Sequence, residues 1–255
     1  MVTNMKFSGY SPETWKFFRD LKRNNKREWF LKNRARYETA VVEPTTILVD
    51  TLNRAPIFKK MDLSARPEKA LFRIHRDLRF SPDKTPYKTH GGFVLTRRGI
   101  RKDHAGCFYL HLEPGKSFAA TGFWQPAPAF LYLLRRWAVE NPTKAKKLLD
   151  PMLKPKAWAE EDKLTRLPRG FQEVSDPFLS QLLLKKHWIV GLSLTDKQMN
   201  SGSLVKAIES FLKRSEPIVR LGWSILDEWR AEGGDPHWQE LQHGKKIERE
   251  SEAYL

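Results

Sequence analysis

Apolar residues along this chain change rhythm twice, from helical spacing to strict alternation and back to helical spacing. Ser11-Pro12-Glu13 reads as a helix start, with a capping serine, a proline suited to the first turn and a carboxylate at the positive helix end. Trp15, Phe18 and Leu21 then form an apolar stripe that Asn24-Asn25 stop. A second helix is expected from Arg27 or Glu28, with Tyr37, Val41, Leu48 and Leu52 at helical intervals and Pro44 on the same face. Pro44 has no amide proton, so it should kink this helix or divide it. The Trp and Phe residues here read as core-facing rather than as platforms for base stacking.

Residues 70–80 alternate. Ala70, Phe72, Ile74, Leu78 and Phe80 share one parity, with Arg76 the exception, while Arg73, His75, Asp77 and Arg79 share the other. That predicts a strand with one buried and one polar face. The prolines of the next segment, Ser81-Pro82-Asp83-Lys84-Thr85-Pro86, exclude helix and central strand and predict a loop. A short strand over 91–95 and a turn at Arg97-Arg98-Gly99 follow. Residues 107–113 alternate again, with Phe108, Leu110 and Leu112 against Tyr109, His111 and Glu113. Pro114-Gly115 marks a turn into a strand from Ser117 to Trp124, so this pair reads as a hairpin.

After Pro126 and Pro128, residues 129–139 predict an apolar helix with Arg135-Arg136 on its exposed side. Another helix is expected from Pro142 to Leu149, then an irregular connection over 150–175, a helix over 176–186 and a strand over 188–194. A long helix from about Ser203 to Trp229 ends at Gly233-Gly234-Asp235-Pro236. This order describes an α+β fold: a mainly antiparallel sheet packed with helices on one face, an N-terminal helical pair and a long C-terminal helix. A single domain over 1–232 with a polar tail over 233–255 is the organisation expected, without internal repeats.

Composition narrows the classes. At 255 residues, 40% hydrophobic and 30% charged, the chain is globular rather than disordered. A single cysteine, Cys107, excludes a disulfide framework and any Cys-based metal or iron–sulfur site, and it reads as a buried, inert thiol. The longest apolar run, Ala129 to Leu134, is six residues, against the roughly 20 a membrane helix needs. The first ten residues carry no apolar stretch, so a secretory signal is not expected. The expectation is a cytoplasmic protein with no membrane partner. Its net charge of +16 is unevenly spread: residues 1–102 hold 24 Lys and Arg against 10 Asp and Glu, a net +14. Such asymmetry points to an anionic partner such as nucleic acid, a phosphorylated metabolite or an acidic protein surface, with a merely solvated basic surface as an equal alternative.

Candidate chemistry follows from strand parity. If strands 70–80 and 107–113 share a sheet, the face with Arg73, His75, Asp77 and Arg79 can coincide with that of Tyr109, His111 and Glu113. His75 with Asp77 and His111 with Glu113 would then supply acid–base groups, or ligands for a divalent metal. The nearby arginines oppose a cation, so no metal and no cofactor is assigned. Arg73 and Arg79 suit a phosphate or carboxylate held by paired hydrogen bonds. In the following loop, Lys84, Tyr87 and Lys88 could close over the same anion, or Asp83 and Lys84 could pair and stiffen the turn. Ordinary cross-strand ion pairing is the plainer explanation of such faces. No Gly-rich phosphate loop, GxSxG elbow or HExxH motif occurs.

Several segments carry a family resemblance. Asn24-Asn25-Lys26-Arg27-Glu28-Trp29-Phe30, the block from Arg73 to Phe80 with Asp83-Lys84-Thr85-Pro86-Tyr87-Lys88, and Tyr109 to Gly115 resemble the domain of unknown function 2461 family of bacteria and fungi. Gly122-Phe123-Trp124-Gln125-Pro126 and Leu167-Pro168-Arg169-Gly170-Phe171 are similar to later signatures of that family. The resemblance spans roughly residues 7–230, and the basic stretch Arg97–Lys102 is particular to this chain. It implies no activity, cofactor or catalytic residue. The functional expectation is a binding or catalytic site for a phosphorylated or other anionic small molecule. His75, Asp77, His111 and Glu113 would be its acid–base groups, with Arg73, Arg79, Lys84, Lys88, Tyr87 and Tyr109 as its anion contacts. Two alternatives stand beside it. One is sequence-independent nucleic-acid binding through the basic helices of residues 15–60, and the other a metal-dependent hydrolase.

Overall fold

A computed structural model describes residues 5–79, 82–97, 106–154 and 162–234. Expectations for Phe80, Ser81, the turn and basic stretch beyond Arg97, the middle of the 150–175 connection and the tail from Asp235 lie outside the described residues.

The chain begins with α1 (Pro12–Arg23), α2 (Arg27–Lys32) and α3 (Arg34–Tyr37). Pro12 and Glu13 occupy the first turn of α1 as expected, but the Ser11 side chain makes no capping hydrogen bond. The second predicted helix is divided: a π-helical turn, Glu38–Val42, precedes α4 (Glu43–Arg54). Pro44 is the cause, because the carbonyl of Ala40 loses the amide proton four residues on. The hydroxyl of Thr14, buried in α1, donates to that carbonyl at 2.7 Å and fixes α1 against the break. Tyr37, Val41, Leu48 and Leu52 are all buried, as their spacing predicts.

After α5 (Pro56–Lys60) come β1 (Leu63–Ser64) and α6 (Pro67–Ala70). The strand predicted over 70–80 does not form. β2 (Gly91–Arg97) and β3 (Cys107–Leu112) pair antiparallel, while β1 lies on the other edge of β2. Leu71 bridges to Phe93 on that same edge, and Phe72 N–H donates to Gly92 C=O at 2.9 Å. β2 starts at Gly91, so residues beyond Phe72 have no strand left to pair with. They fold back on their own loop instead: His75 bridges to Tyr87, Arg76 N–H donates to Pro86 C=O, and Lys88 N–H donates to Ile74 C=O. Alternation in sequence here yields two isolated bridges, not a ladder.

β4 (Phe118–Phe123) and β5 (Trp188–Ser193) complete a five-stranded antiparallel sheet in the order β1-β2-β3-β4-β5. The helices between and after them are α7 (Pro128–Glu140), α8 (Pro142–Leu153), α9 (Pro177–Leu183), α10 (Asp196–Met199) and the long α11 (Leu204–Ala231). The fold is α+β, and no described helix is long and apolar enough to cross a membrane.

The described residues group into two compact units. The first takes residues up to 97, 107–120 and 191–214. In its core, Phe93, Leu95, Phe108, Leu110 and Leu112 of the sheet meet Phe18 of α1 and Phe58 of α5, the last packed edge-on to Phe108 at 5.2 Å. The second unit takes residue 106, residues 121–190 and residues 215–234. Phe130, Leu134, Leu149, Leu182, Trp188, Val219 and Leu226 are buried within it. Arg135 departs from expectation: only Arg136 is exposed, paired with Glu140, whereas Arg135 is buried and donates to Lys185 C=O at 3.0 Å just past the end of α9. A cation there completes the negative end of α9, and burial lowers the guanidinium's basicity.

Gly222 of α11 gives a sharp test, because a Cβ there would drive into the Phe123 ring. Gly→Ala in a helix ordinarily stabilises by about 0.5–1 kcal/mol, whereas overpacking a core costs about 1–3 kcal/mol. Overpacking should win. Gly222→Ala is expected to lower the Tm in a thermal melt, and a raised Tm would show that the ring has room.

Candidate functional site

The face of β2 and β3 opposite the core carries the polar cluster. Register pairs Gly92 with His111, Val94 with Tyr109 and Thr96 with Cys107, so these residues share that face. Gly92 is what permits the cluster: a Cβ on it would sit 2.7 Å from the Tyr109 hydroxyl, because the phenol lies across the glycine. The ring of Tyr109 is held by Phe72, stacked at 6.1 Å, and by Phe118, edge-on at 5.6 Å.

Three side chains of β3 and its end form one hydrogen-bonded row. Tyr109 Oη lies 2.8 Å from His111 Nδ1, and His111 Nε2 lies 3.0 Å from Glu113 Oε2. An ionised Glu113 accepts only, so Nε2 carries the imidazole proton and Nδ1 receives the tyrosine O–H. The row therefore runs in one direction, from phenol to imidazole to carboxylate. His111 is flanked by Phe118, stacked at 4.8 Å, and by the His90 ring at 4.7 Å. Burial pushes His111 below the usual imidazole range, opposed by Glu113. Burial also pulls His90 down to about 4, with His111, Lys88 and Arg76 adding to the effect and Glu113 opposing it. Tyr109 is raised by burial and by its neighbours Cys107 and Glu113, so it keeps its proton. Cys107 is raised by burial to about 12 and is a poor nucleophile at neutral pH.

Cations gather at the edge of this row. Lys88 Nζ stands 6.0 Å from the centre of the Phe72 ring, and burial and the charge of Arg73 both lower its basicity. Arg76 acts on His90 from the loop, where its guanidinium donates to Asp83 and, at 2.5 Å, to Thr85.

The other predicted residues lie apart from the row. His75 is exposed and packs beside Tyr87 and Phe30, so it does not join His111. Asp77 is engaged by Arg79 through side-chain and backbone donors, which hold its carboxyl at about 2. Lys84 Nζ donates to Leu78 C=O at 3.1 Å; the expected pairing of Asp83 with Lys84 is replaced by that with Arg76. Tyr87 is buried against Phe30, stacked at 4.4 Å. The Asn25 side chain clamps the Tyr87 backbone from both sides, donating to its C=O at 2.8 Å and accepting from its N–H at 3.0 Å. Among the described residues no group of three or more His, Cys, Asp or Glu is arranged to hold a metal ion. The two predicted His–acid pairs belong to different segments, with β2 between them.

Sequence reasoning missed His90 and set Arg76 aside. His90 was visible in one respect: it shares the parity of Gly92 and Val94, which alternate with buried Phe93 and Leu95.

Two measurements check this arrangement. His90 has a folded pKa below its ordinary value near 6.5, so the unfolded chain binds more protons between about pH 4 and 6.5 and stability falls on acidification. Denaturant unfolding should therefore lose about 1.5 kcal/mol through His90 between pH 6.5 and 5, and His90→Gln should remove that part of the slope; an identical slope would place His90 in solvent. Gly92→Ala should leave a folded protein whose Tyr109 hydroxyl is pushed off His111, seen as a changed His111 ring resonance in NMR; an unshifted resonance would contradict the geometry.

A search among curated proteins and among solved structures finds no match to this chain. The family model described as "Conserved hypothetical protein (DUF2461)" matches residues 13–221, which includes α1, the Asn25 clamp, the loop it holds and the whole of the row on β3. The chain belongs to the DUF2461 family.

Proposed function

We propose that the polar face of β2 and β3 binds a phosphorylated or other anionic small molecule. The observation that carries this reading is that Lys88 and Arg76 both act on His90, whose ring packs at 4.7 Å against His111, two imidazoles held neutral at pH 7. Like charges held close together raise the energy of the empty site, and an anion relieves that strain. Arg73 adds to the same field through Lys88. An anion seated there makes protonation of His90 favourable and turns it into a further donor. The Tyr109–His111–Glu113 row orients an imidazole beside that anion: Glu113 fixes the ring of His111, and Tyr109, which keeps its proton, holds it by a hydrogen bond to Nδ1. Arg79 and Lys84 do not enter this reading, because Asp77 and the Leu78 carbonyl engage them and neither acts on His90, as Arg76 does from its pairing with Asp83.

The test uses phenyl phosphate and sulfate as probes. Either should move the His90 ring resonance in NMR and raise its pKa. Sulfate does not titrate in this range, so its affinity should increase as pH falls from 8 to 5 through proton uptake by the protein. Lys88→Gln should weaken phenyl phosphate by about 10-fold or more, the value of one charge-assisted hydrogen bond. No response of His90 at about 10 mM of either probe, where even a millimolar affinity saturates, would reject the proposal.

A further inference from the structure

A second positive surface lies on the first two helices, distinct from the row on β3. Lys16, Arg19, Lys22, Arg23, Lys26, Arg27 and Lys32 are all exposed, and among the described residues none of them is in an ion pair. The same stretch holds three acids, Glu13, Asp20 and Glu28. Two of these are withdrawn from the surface balance by one residue: Arg36 pairs with Glu13 and, at 2.7 Å, with Asp20. Its guanidinium also stands 5.8 Å from the centre of the buried Phe17 ring. That leaves Glu28 alone against seven cations.

The placement of these cations is as informative as their number. Lys16, Arg19 and Arg23 are spaced i, i+3 and i+7 on α1 and so form one stripe. The stripe is about 10 Å long, close to three base-pair steps of about 3.4 Å along one nucleic-acid strand. Lys26 and Arg27 follow in sequence, where the chain passes from α1 into α2, and both are exposed. The aromatic residues of α1, Trp15, Phe17 and Phe18, are wholly buried. The helix therefore offers neither a stacking platform for unpaired bases nor an apolar face to insert into lipid.

We infer that the exposed face of α1, with the start of α2, docks on the phosphate backbone of double-stranded nucleic acid without reading its sequence. The occupant follows from charge complementarity and from the absence of any apolar or stacking element on that stripe. About five cations engage phosphates, and contact to base edges is not required.

Fluorescence anisotropy of a labelled random-sequence duplex with the full chain tests this. With about five phosphates neutralised, affinity should fall about 500-fold between about 50 and 200 mM salt. The variant Lys16→Gln, Arg19→Gln, Arg23→Gln should bind at least about 100-fold more weakly at low salt and show a salt slope smaller by about three. Its thermal melt should match the wild type, and so should its His90 response to phenyl phosphate, so failure here is separable from failure of the small-anion site. Three results would overturn the inference: no duplex binding at about 50 mM salt, an unchanged affinity in the triple variant, or binding to phosphatidylserine vesicles or single strands in preference to duplex.

Discussion

The antiparallel register that sets Gly92 opposite His111 is the constraint on which the rest of the site depends. A side chain at position 92 would occupy the space that Tyr109 fills. Moving the register by one residue would turn His111 and Tyr109 into the core and bring Leu110 and Leu112 to the surface. Burial of Phe93, Leu95, Phe108, Leu110 and Leu112 at 0% exposure therefore does two things at once. It supplies the hydrophobic stabilisation of the sheet, and it fixes which residues stand on the polar face. The apolar half of the pattern aims the polar half.

A second fastening brings the cations to that face. Asn25 imitates a strand partner for Tyr87, with one amide donor and one carbonyl acceptor. Phe30, one helical turn further on, stacks on the Tyr87 ring. Two segments some 60 residues apart are thus held by one polar clamp and one aromatic contact, and Lys88 follows directly on the residue they hold. The loop before it is closed internally, Arg76 to Asp83 and Thr85, Asp77 to Arg79. Much of the charge that stands out in that block shapes the loop; Lys88 and Arg76 also act on His90, and Arg73 acts on Lys88.

How much of this could be read from the chain divides along physical lines. Periodicity reports backbone conformation and burial, and where it was strong it held. The β3 alternation, the α1 stripe, the hairpin turn at Pro114-Gly115 and the α+β order all appear. Periodicity does not report which strand pairs with which, so residues 71–79 make two isolated bridges but form no strand, and His75 and Asp77 do not meet the row on β3. Half of the predicted acid–base set, His111 and Glu113, is joined with Tyr109; His75 and Asp77 went elsewhere for that reason. His90 escaped because the alternation beginning there passes through two glycines, which have no side chain to mark a face. Arg135 escaped because a helix wheel shows exposure to solvent, not the carbonyl of a neighbouring chain segment that a guanidinium can reach.

The first unit is assembled from three stretches far apart in sequence. Tyr10 N–H donates to Met199 C=O, Trp15 Nε1 to Asn200 Oδ1, and Leu194 N–H to Ser117 C=O. Some of these links close loops of nearly 190 residues. The N-terminal helices and the β2–β3 ladder are made early, yet their partners around α10 are made only after β5. Contacts of this separation slow folding, and the nascent chain must hold Trp15 and its neighbours out of aggregation until the segment after β5 arrives. No single cut would release either unit as a continuous piece. The order of its segments, more than any one residue, sets when the first unit can close.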